Sequence, residues 1–336
     1  MTDKVLTERD GDVLVVVINN PPINAGSLDV RKGVLAAIDV LSKDASLKAG
    51  VLIGGGTTFI AGSDLREFGK PLEEPQLPVV IAAIENCPKP VVAALHGAAL
   101  GGGFELALGS DARVAGPKTV VGLPEVTLGM IPGAGGTQRL PRIVGVARAI
   151  GMVCTGERIN AQAAKKLGIV SEVIEGDLRA GAVRFASAMK GKRRLRDESP
   201  RSEPQETIDA AARDAKKAGR GRPNIISAIE MVQASTTLPI DEALKRERAA
   251  FQEFRMSREA AALRHLFFAE REAGKHPRTA GQSARPLKSA GVIGGGTMGS
   301  GIALALAQAG IETIVIERDD ESVKACEGRV RDYFAG

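Results

Sequence analysis

Short, almost wholly apolar runs alternate along the first half of this chain with segments whose apolar residues fall at helical spacing. Few folds accommodate that pattern. Residues 12–19 (DVLVVVIN) predict a buried strand, ended by Pro21 and Pro22. Ser27 is placed to cap a helix carrying Leu28, Leu35, Ile38 and Leu41 on one face. Residues 51–53 predict a second strand running into Gly54, Gly55 and Gly56, residues 77–87 a helix, and residues 90–95 another short buried strand. Strands that alternate with helices define the α/β class, and the alternation continues to about residue 173.

The pattern then changes twice. Residues 190–222 are charged, punctuated by Pro and Gly, and poor in large apolar side chains, which predicts an exposed connector or a loose helix. Residues 240–274 are Ala-, Glu- and Arg-rich, with Leu244, Phe251, Phe254, Leu263, Leu266 and Phe267 at helical spacing, the mark of packing helices. From Pro286 the order is strand, glycine loop, helix, strand. A chain of 336 residues has room for two domains and a connector.

Composition narrows the partners. The chain is 44% hydrophobic and 25% charged, so it can bury a core and is not a disordered chain. The net charge of +5 invites a nucleic-acid reading. However, residues 190–222 hold eleven Lys/Arg against six Asp/Glu, so that stretch accounts for the whole excess and reads as a solvated face. Nine Phe, one Tyr and no Trp leave little for base stacking. Three scattered cysteines without a CxxC pattern predict reduced thiols in a reducing compartment. The charged start lacks a signal-peptide core, and no run of about 18 apolar residues predicts a membrane span. No nucleic-acid partner, membrane insertion or metal is expected.

Two stretches carry chemistry. In AALHGAALGGGFELALGSD (93–111), a strand and turn lead into Gly101, Gly102 and Gly103 where a helix starts. Amides there have no intrahelical partner and sit at the positive end of the dipole, a ready site for a developing anion. Glu105 lies three residues past Gly102, on the same face. The competing reading is that the glycines only allow close packing. Twenty residues further, Glu125 sits in an apolar, Pro-bounded stretch, where a carboxylate is costly unless paired or functional. Ser63 follows a strand and an Ala-Gly pair and is expected to open a helix, its N–H pointing outward like that of Gly102. His96 reads as a turn residue.

The blocks FIAGSDL, KPVVAALHGAALGGGFELALGSD and GLPEVTLGMIPGAGGTQRLPRIVG resemble the enoyl-CoA hydratase/isomerase (crotonase) family, from about residue 5 to 190. The resemblance implies a crotonase-like (ββα) spiral domain and an acyl-CoA thioester substrate. It implies oxyanion-hole amides at Ser63 and Gly102, catalytic carboxylates at Glu105 and Glu125, and CoA contacts along Ala61, Gly62, Asp64 and Leu65. The family normally has Ala where this chain has Ser63, a change that a backbone donor tolerates. The implied reaction is hydration of trans-2-enoyl-CoA to 3-hydroxyacyl-CoA, which needs no cofactor. A Δ3,Δ2-enoyl-CoA isomerase needs only one carboxylate, so two glutamates favour hydration. A non-catalytic acyl-CoA-binding module is the alternative of a different class.

In AGVIGGGTMGSGIALALAQAGIETIVIE (290–317), a strand leads to a glycine loop and a helix, and an acid follows 23 residues past the first glycine. That context identifies a dinucleotide fingerprint. Gly294 would make the turn, Gly296 admit a pyrophosphate, Gly299 allow helix–strand packing, and Glu317 hold a ribose, favouring NAD. The segment resembles the opening of 3-hydroxyacyl-CoA dehydrogenase, whose catalytic His–Glu pair and helical domain have no counterpart before Gly336. The order resembles bifunctional β-oxidation enzymes. It implies a hydratase domain at 1–190, a charged connector and helical linker at 191–285, and the start of a Rossmann-type NAD-binding domain at 286–336. Such a protein is expected in the cytoplasm of a bacterium or the peroxisome of a eukaryote, and a homo-oligomer and a thiolase partner are both open to it.

Overall fold

The computed structural model describes residues 3–273 and 285–335, which cluster into two compact units, residues 1–269 and 270–336. The strands of the first are β1 (Val5–Asp10), β2 (Val13–Ile18), β3 (Ala49–Gly54), β4 (Val91–Leu95), β5 (Ala98–Leu100), β6 (Ala112–Ala115), β7 (Val120–Gly122), β8 (Arg158–Asn160) and β9 (Glu172–Val173). Its helices are α1 (Leu28–Lys43), α2 (Leu77–Asn86), α3 (Gly102–Leu108), α4 (Gly136–Val144), α5 (Val146–Thr155), α6 (Ala161–Lys166), α7 (Leu178–Ala188), α8 (Gln205–Ala218), α9 (Pro223–Thr237), α10 (Ile240–Arg255) and α11 (Arg258–Ala273), the last reaching into the second unit. The second continues with β10 (Ser289–Ile293), α12 (Thr297–Gln308), β11 (Glu312–Ile316) and α13 (Asp320–Ala335).

Six strands form the main sheet in the order β1-β2-β3-β4-β6-β9, with β1 antiparallel to β2 and the other pairs parallel. The apolar runs are apolar because both faces of this sheet are covered. Along β2, Leu14, Val16 and Ile18 join the larger core with α1, α2 and α5, while Val13 and Val15 join a smaller core with α7. β4 divides the same way, Val91, Ala93 and Leu95 to one side and Val92 and Ala94 to the other. A smaller sheet, β5-β7-β8, carries the ends of the two stretches expected to hold the chemistry.

Residues 190–222 depart from the expected solvated connector. α8 packs on α5 with Ile208 and Ala215 buried. Lys192 Nζ donates to buried Asp111 at 2.8 Å, and Arg196 approaches buried Glu85 at 3.6 Å. Those basic groups face outward in composition but find buried acids on the first half of the chain, a pairing that composition does not reveal. Ser27 does stand at the start of α1, but its side chain makes no capping bond.

In the second unit, β10 and β11 pair in parallel, with α12 entered through the glycine loop.

Candidate active site

The triple glycine has a packing reason and leaves donors free. A Cβ on Gly103 would stand 2.4 Å from the carbonyl oxygen of Ile60, and one on Gly102 2.5 Å from the Ser63 hydroxyl oxygen. The 60–63 segment and the start of α3 therefore touch backbone to backbone, an approach only glycine permits. Gly101 turns the chain with φ +52°, and its carbonyl accepts from the Phe104 and Glu105 amides. The amides of Ser63 and Gly102 have no partner among the described residues. The glycines pack closely and leave the Ser63 and Gly102 amides near each other without partners among the described residues.

Ser63 reaches this place differently from expected. It does not open an α-helix; it forms a parallel bridge with Gly26, and only a 3-10 turn, Leu65–Glu67, follows. The turn is capped by Asp64, whose carboxylate accepts from the Arg66 amide and pairs with its guanidinium at 2.7 Å. That bond to Arg66 holds the Asp64 carboxyl below the usual range. Gly62 takes φ +137°, and its carbonyl accepts from Gly26, while the Ala61 amide donates to Ile23. Leu65 packs at the edge of the core.

Glu105 projects from α3 and is buried. Its Oε1 accepts from the amides of Ala134 and Gly136 at 2.7 and 2.8 Å. Burial raises its carboxyl, while those two amides and the charges of Arg139 and Arg248 hold it back. Glu125 begins a 3-10 turn, Glu125–Leu128, fastened from α9 by Asn224, which donates to the carbonyls of Val126 and Met130. Its Oε2 is shut from water and has no partner among the described residues. Burial first, then the charges of Glu105 and Glu247, push this carboxyl well above the usual range. The result is an asymmetric pair: one carboxyl accepts from two backbone amides, and the other has a buried oxygen without a partner among the described residues. A small cavity of about 20 Å³ lies against Ser63, Gly102, Leu77, Val80 and Val34.

Three groups around the pair were not legible as site residues. Glu247 on α10 is buried and grips the same 134–137 segment as Glu105. Arg139 makes a two-pronged buried bond to Glu85 at 2.8 and 2.9 Å and donates to the Ala134 carbonyl. Arg248 donates to Gly133 and Gln76 and lies 4.8 Å above the Phe251 ring. The signal for Glu247 is its spacing: Ala243, Glu247 and Phe251 fall four apart on the buried stripe of α10. His96 Nε2 donates to the Gly54 carbonyl at 3.0 Å, at the end of β3. Among the described residues, no cluster of His, Cys, Asp and Glu is placed to hold a metal, and no helix is long and apolar enough to cross a membrane.

In the second unit, Gly294 turns at φ +86°, a Cβ on Gly299 would stand 1.7 Å from the Gly294 carbonyl, and Gly296 has open space before it. Glu317 at the end of β11 accepts from the Gly295 amide at 2.6 Å. The loop thus has the turn, the close helix approach and the open backbone that a pyrophosphate cradle requires.

The sheet, the glycine-opened helix and the smaller sheet beside it are those of a crotonase-fold protein. The chain belongs to the enoyl-CoA hydratase/isomerase family, whose model matches residues 8–198. Residues 289–336 match the NAD binding domain of 3-hydroxyacyl-CoA dehydrogenase. The chain is 41% identical over 318 residues to the peroxisomal bifunctional enzyme of Danio rerio, covering 91% of this chain and 44% of that one. It is 36% identical over 321 residues to the fatty acid oxidation complex subunit alpha of Shewanella baltica, covering 89% and 45%. It therefore spans less than half the length of these relatives. In fold it is similar to an enoyl-CoA hydratase/isomerase from Pseudoalteromonas atlantica, with a TM-score of 0.61, 24% identity, and coverage of 80% of this chain and 98% of that one.

Proposed function

We propose that this chain hydrates trans-2-enoyl-CoA thioesters, with Glu105 and Glu125 as the acid–base pair and the amides of Ser63 and Gly102 as the oxyanion hole. The observation that carries the reading is the asymmetric pair beside two unused amides. Adding water to an α,β-unsaturated thioester develops negative charge on the thioester oxygen. Two fixed donors stabilise it, and each is worth roughly 2.7–4 kcal/mol. Glu105, kept an acceptor by Ala134 and Gly136, takes a proton from the water whose oxygen bonds to the β-carbon. Glu125, whose carboxyl is raised well above the usual range by burial and by the neighbouring charges of Glu105 and Glu247, delivers a proton to the α-carbon. The product is the 3-hydroxyacyl thioester. The pair is left with its proton exchanged from one member to the other, and exchange with solvent resets it. An isomerase would use a single shuttle carboxylate and leave the second buried glutamate without a task. Ala61, Gly62, Asp64 and Leu65 are read as the edge along which the CoA lies.

The longer protein is read as bifunctional, with residues 286–336 opening a dehydrogenase domain after the helices of 191–285. NAD would supply the hydride acceptor for oxidising the hydroxyl-bearing carbon of the hydration product. Gly294, Gly296 and Gly299 would seat its pyrophosphate and Glu317 its ribose. By the same reading the setting is a peroxisome or a bacterial cytoplasm, and the partners are a second copy or a thiolase.

Loss of the enoyl chromophore of crotonyl-CoA tests the assignment. Glu105→Gln and Glu125→Gln are each expected to lower kcat by at least about 10²-fold, the worth of a lost acid or base, with thioester binding retained. Near-normal turnover in either variant would contradict the roles given.

A further inference from the structure

The segment Ala134–Thr137 is held from two sides by two carboxylates. Amides of 134 and 136 donate to Glu105 Oε1; amides of 135 and 137 donate to Glu247, at 2.6 Å to Oε1 and 3.0 Å to Oε2. The Thr137 hydroxyl adds a bond of 2.5 Å to Glu247 Oε2, and that hydroxyl in turn accepts from Gln138 at 2.9 Å. Four consecutive amides thus alternate between a carboxylate of the proposed reaction and one on α10. Glu247 is only 1% exposed, and both its oxygens are occupied by the loop. It presents nothing to a substrate.

We propose that Glu247 is a positioning residue for hydration: by fixing the 135 and 137 amides it aims the 134 and 136 amides at Glu105, and so holds that carboxylate toward the attacking water. The inference rests on the hydratase reading above. Burying a carboxylate at this depth is costly unless its lone pairs are filled, and here they are filled by the loop it orders. The charged groups facing this loop are Glu105 from α3, Glu125 from its 3-10 turn, Arg139 from α4 with its partner Glu85 of α2, and Arg248 from α10 itself. Both carboxyls respond to removing the Glu247 charge and its acceptors. Glu105 loses part of its amide support, which raises its carboxyl, and also loses a neighbouring negative charge, which lowers it. Glu125 loses a neighbouring negative charge, which lowers its carboxyl.

The test uses the full chain and the isosteric Glu247→Gln. A Gln amide cannot accept from both loop amides, so kcat for crotonyl-CoA is expected to fall between about ten- and a hundredfold, as for a displaced reacting group, with KM within about twofold. The basic limb of the bell-shaped pH profile is expected to move down, because Glu125 loses a neighbouring negative charge. Amide hydrogen exchange at 134–137 is expected to quicken. A folded Glu247→Gln with unchanged kcat, profile and exchange would overturn the proposal. If Glu247→Gln does not fold, Thr137→Val decides. It removes the hydroxyl that donates to Glu247 and accepts from Gln138, and is expected to lower kcat about two- to fivefold and to quicken exchange in the loop; unchanged values of both would overturn it. A wild-type chain that does not hydrate crotonyl-CoA would defeat the hydratase reading itself. The exchange measurement needs no turnover, and unchanged exchange in the variants would then separately show that Glu247 does not order the loop.

Discussion

Ser63 and Gly102 illustrate how differently two neighbouring residues tolerate change when both act through the backbone. In the proposed reaction the Ser63 amide is the donor, and its hydroxyl lies against Gly102. Ser63→Ala is therefore expected to hydrate crotonyl-CoA within about threefold of wild type, since a backbone donor survives the change. Gly102→Ala places a methyl 2.5 Å from the Ser63 hydroxyl and 2.9 Å from Leu77 Cδ2, so both side chains must shift beside the Gly102 amide. Loss of the aligned donor is expected to cost about 10²-fold or more in kcat. Parallel kinetics on the two variants checks this; equal effects would mean that the side chain and not the amide matters. Both positions were readable beforehand from the glycine run and the Ala-Gly-Ser sequence. The residue that holds Glu105's loop from behind was not. Glu247 sits in a stretch of alternating charge, and only its burial between Ala243 and Phe251 sets it apart from its solvated neighbours.

Among the elements, α10 does the work that the sequence assigned to generic packing. Phe251 on that helix lies where a Cβ on Gly133 would stand 2.2 Å from its ring, and meets Phe68 edge-on at 5.9 Å. The helix is thereby pressed onto the Gly133–Thr137 turn that supports Glu105. Phe251→Ala is expected to cost about 3–5 kcal/mol in stability, because a buried ring is replaced by a cavity against a rigid turn. Urea unfolding followed by circular dichroism measures it, and a loss under about 1 kcal/mol would contradict this account. The helical spacing of Phe251 and Phe254 was visible in the sequence, and Phe251 is buried; Leu266 at comparable spacing is 53% exposed, because α11 offers only part of a face to the first unit's core. Periodicity names a candidate stripe, and what packs against it decides how much is used.

At the scale of the molecule, Glu105, Glu125 and Glu247 make stability depend on pH. Burial raises Glu105 and Glu125, and raises Glu247 from 4.5 to about 8. Each binds its proton more tightly when folded. Between the ordinary carboxylate value and the raised ones, the folded chain therefore holds more protons than the unfolded chain, and stability falls as pH rises through that window. The Tm is expected to be lower at about pH 8 than at about pH 5.5, and Glu125→Gln, which has nothing to titrate there, is expected to flatten the decline. A Tm that rises over the same interval would contradict it. The second unit gives a separate expectation. Its two parallel strands leave Ile293, Ile314 and Ile316 exposed, at 87%, 58% and 55%, although parallel sheets are normally covered on both faces. A dinucleotide site spans two βαβ halves. NADH titrated by fluorescence is thus expected to show no saturable binding at micromolar concentration, and tight binding would show that one half suffices.

The amino-acid sequence alone determined the α/β class, the two glycine loops and the two carboxylates, because each is a local statement. An apolar run alternating with a helical stripe, a glycine where no Cβ fits, and a charge stranded among apolar neighbours are all legible within about twenty residues of chain. Only the tertiary structure decided what surrounds them. It set Lys192 and Arg196 of the basic connector against the buried acids Asp111 and Glu85. It set Ser63 beside Gly102 through a bridge to Gly26 where no helix forms, and it brought Glu247 within a hydrogen bond of Gly135, 112 residues away. The physical reason is that hydrogen bonds and burial act over a few ångströms of space whatever the distance along the chain, so the partner of a buried charge becomes known only when the chain is folded.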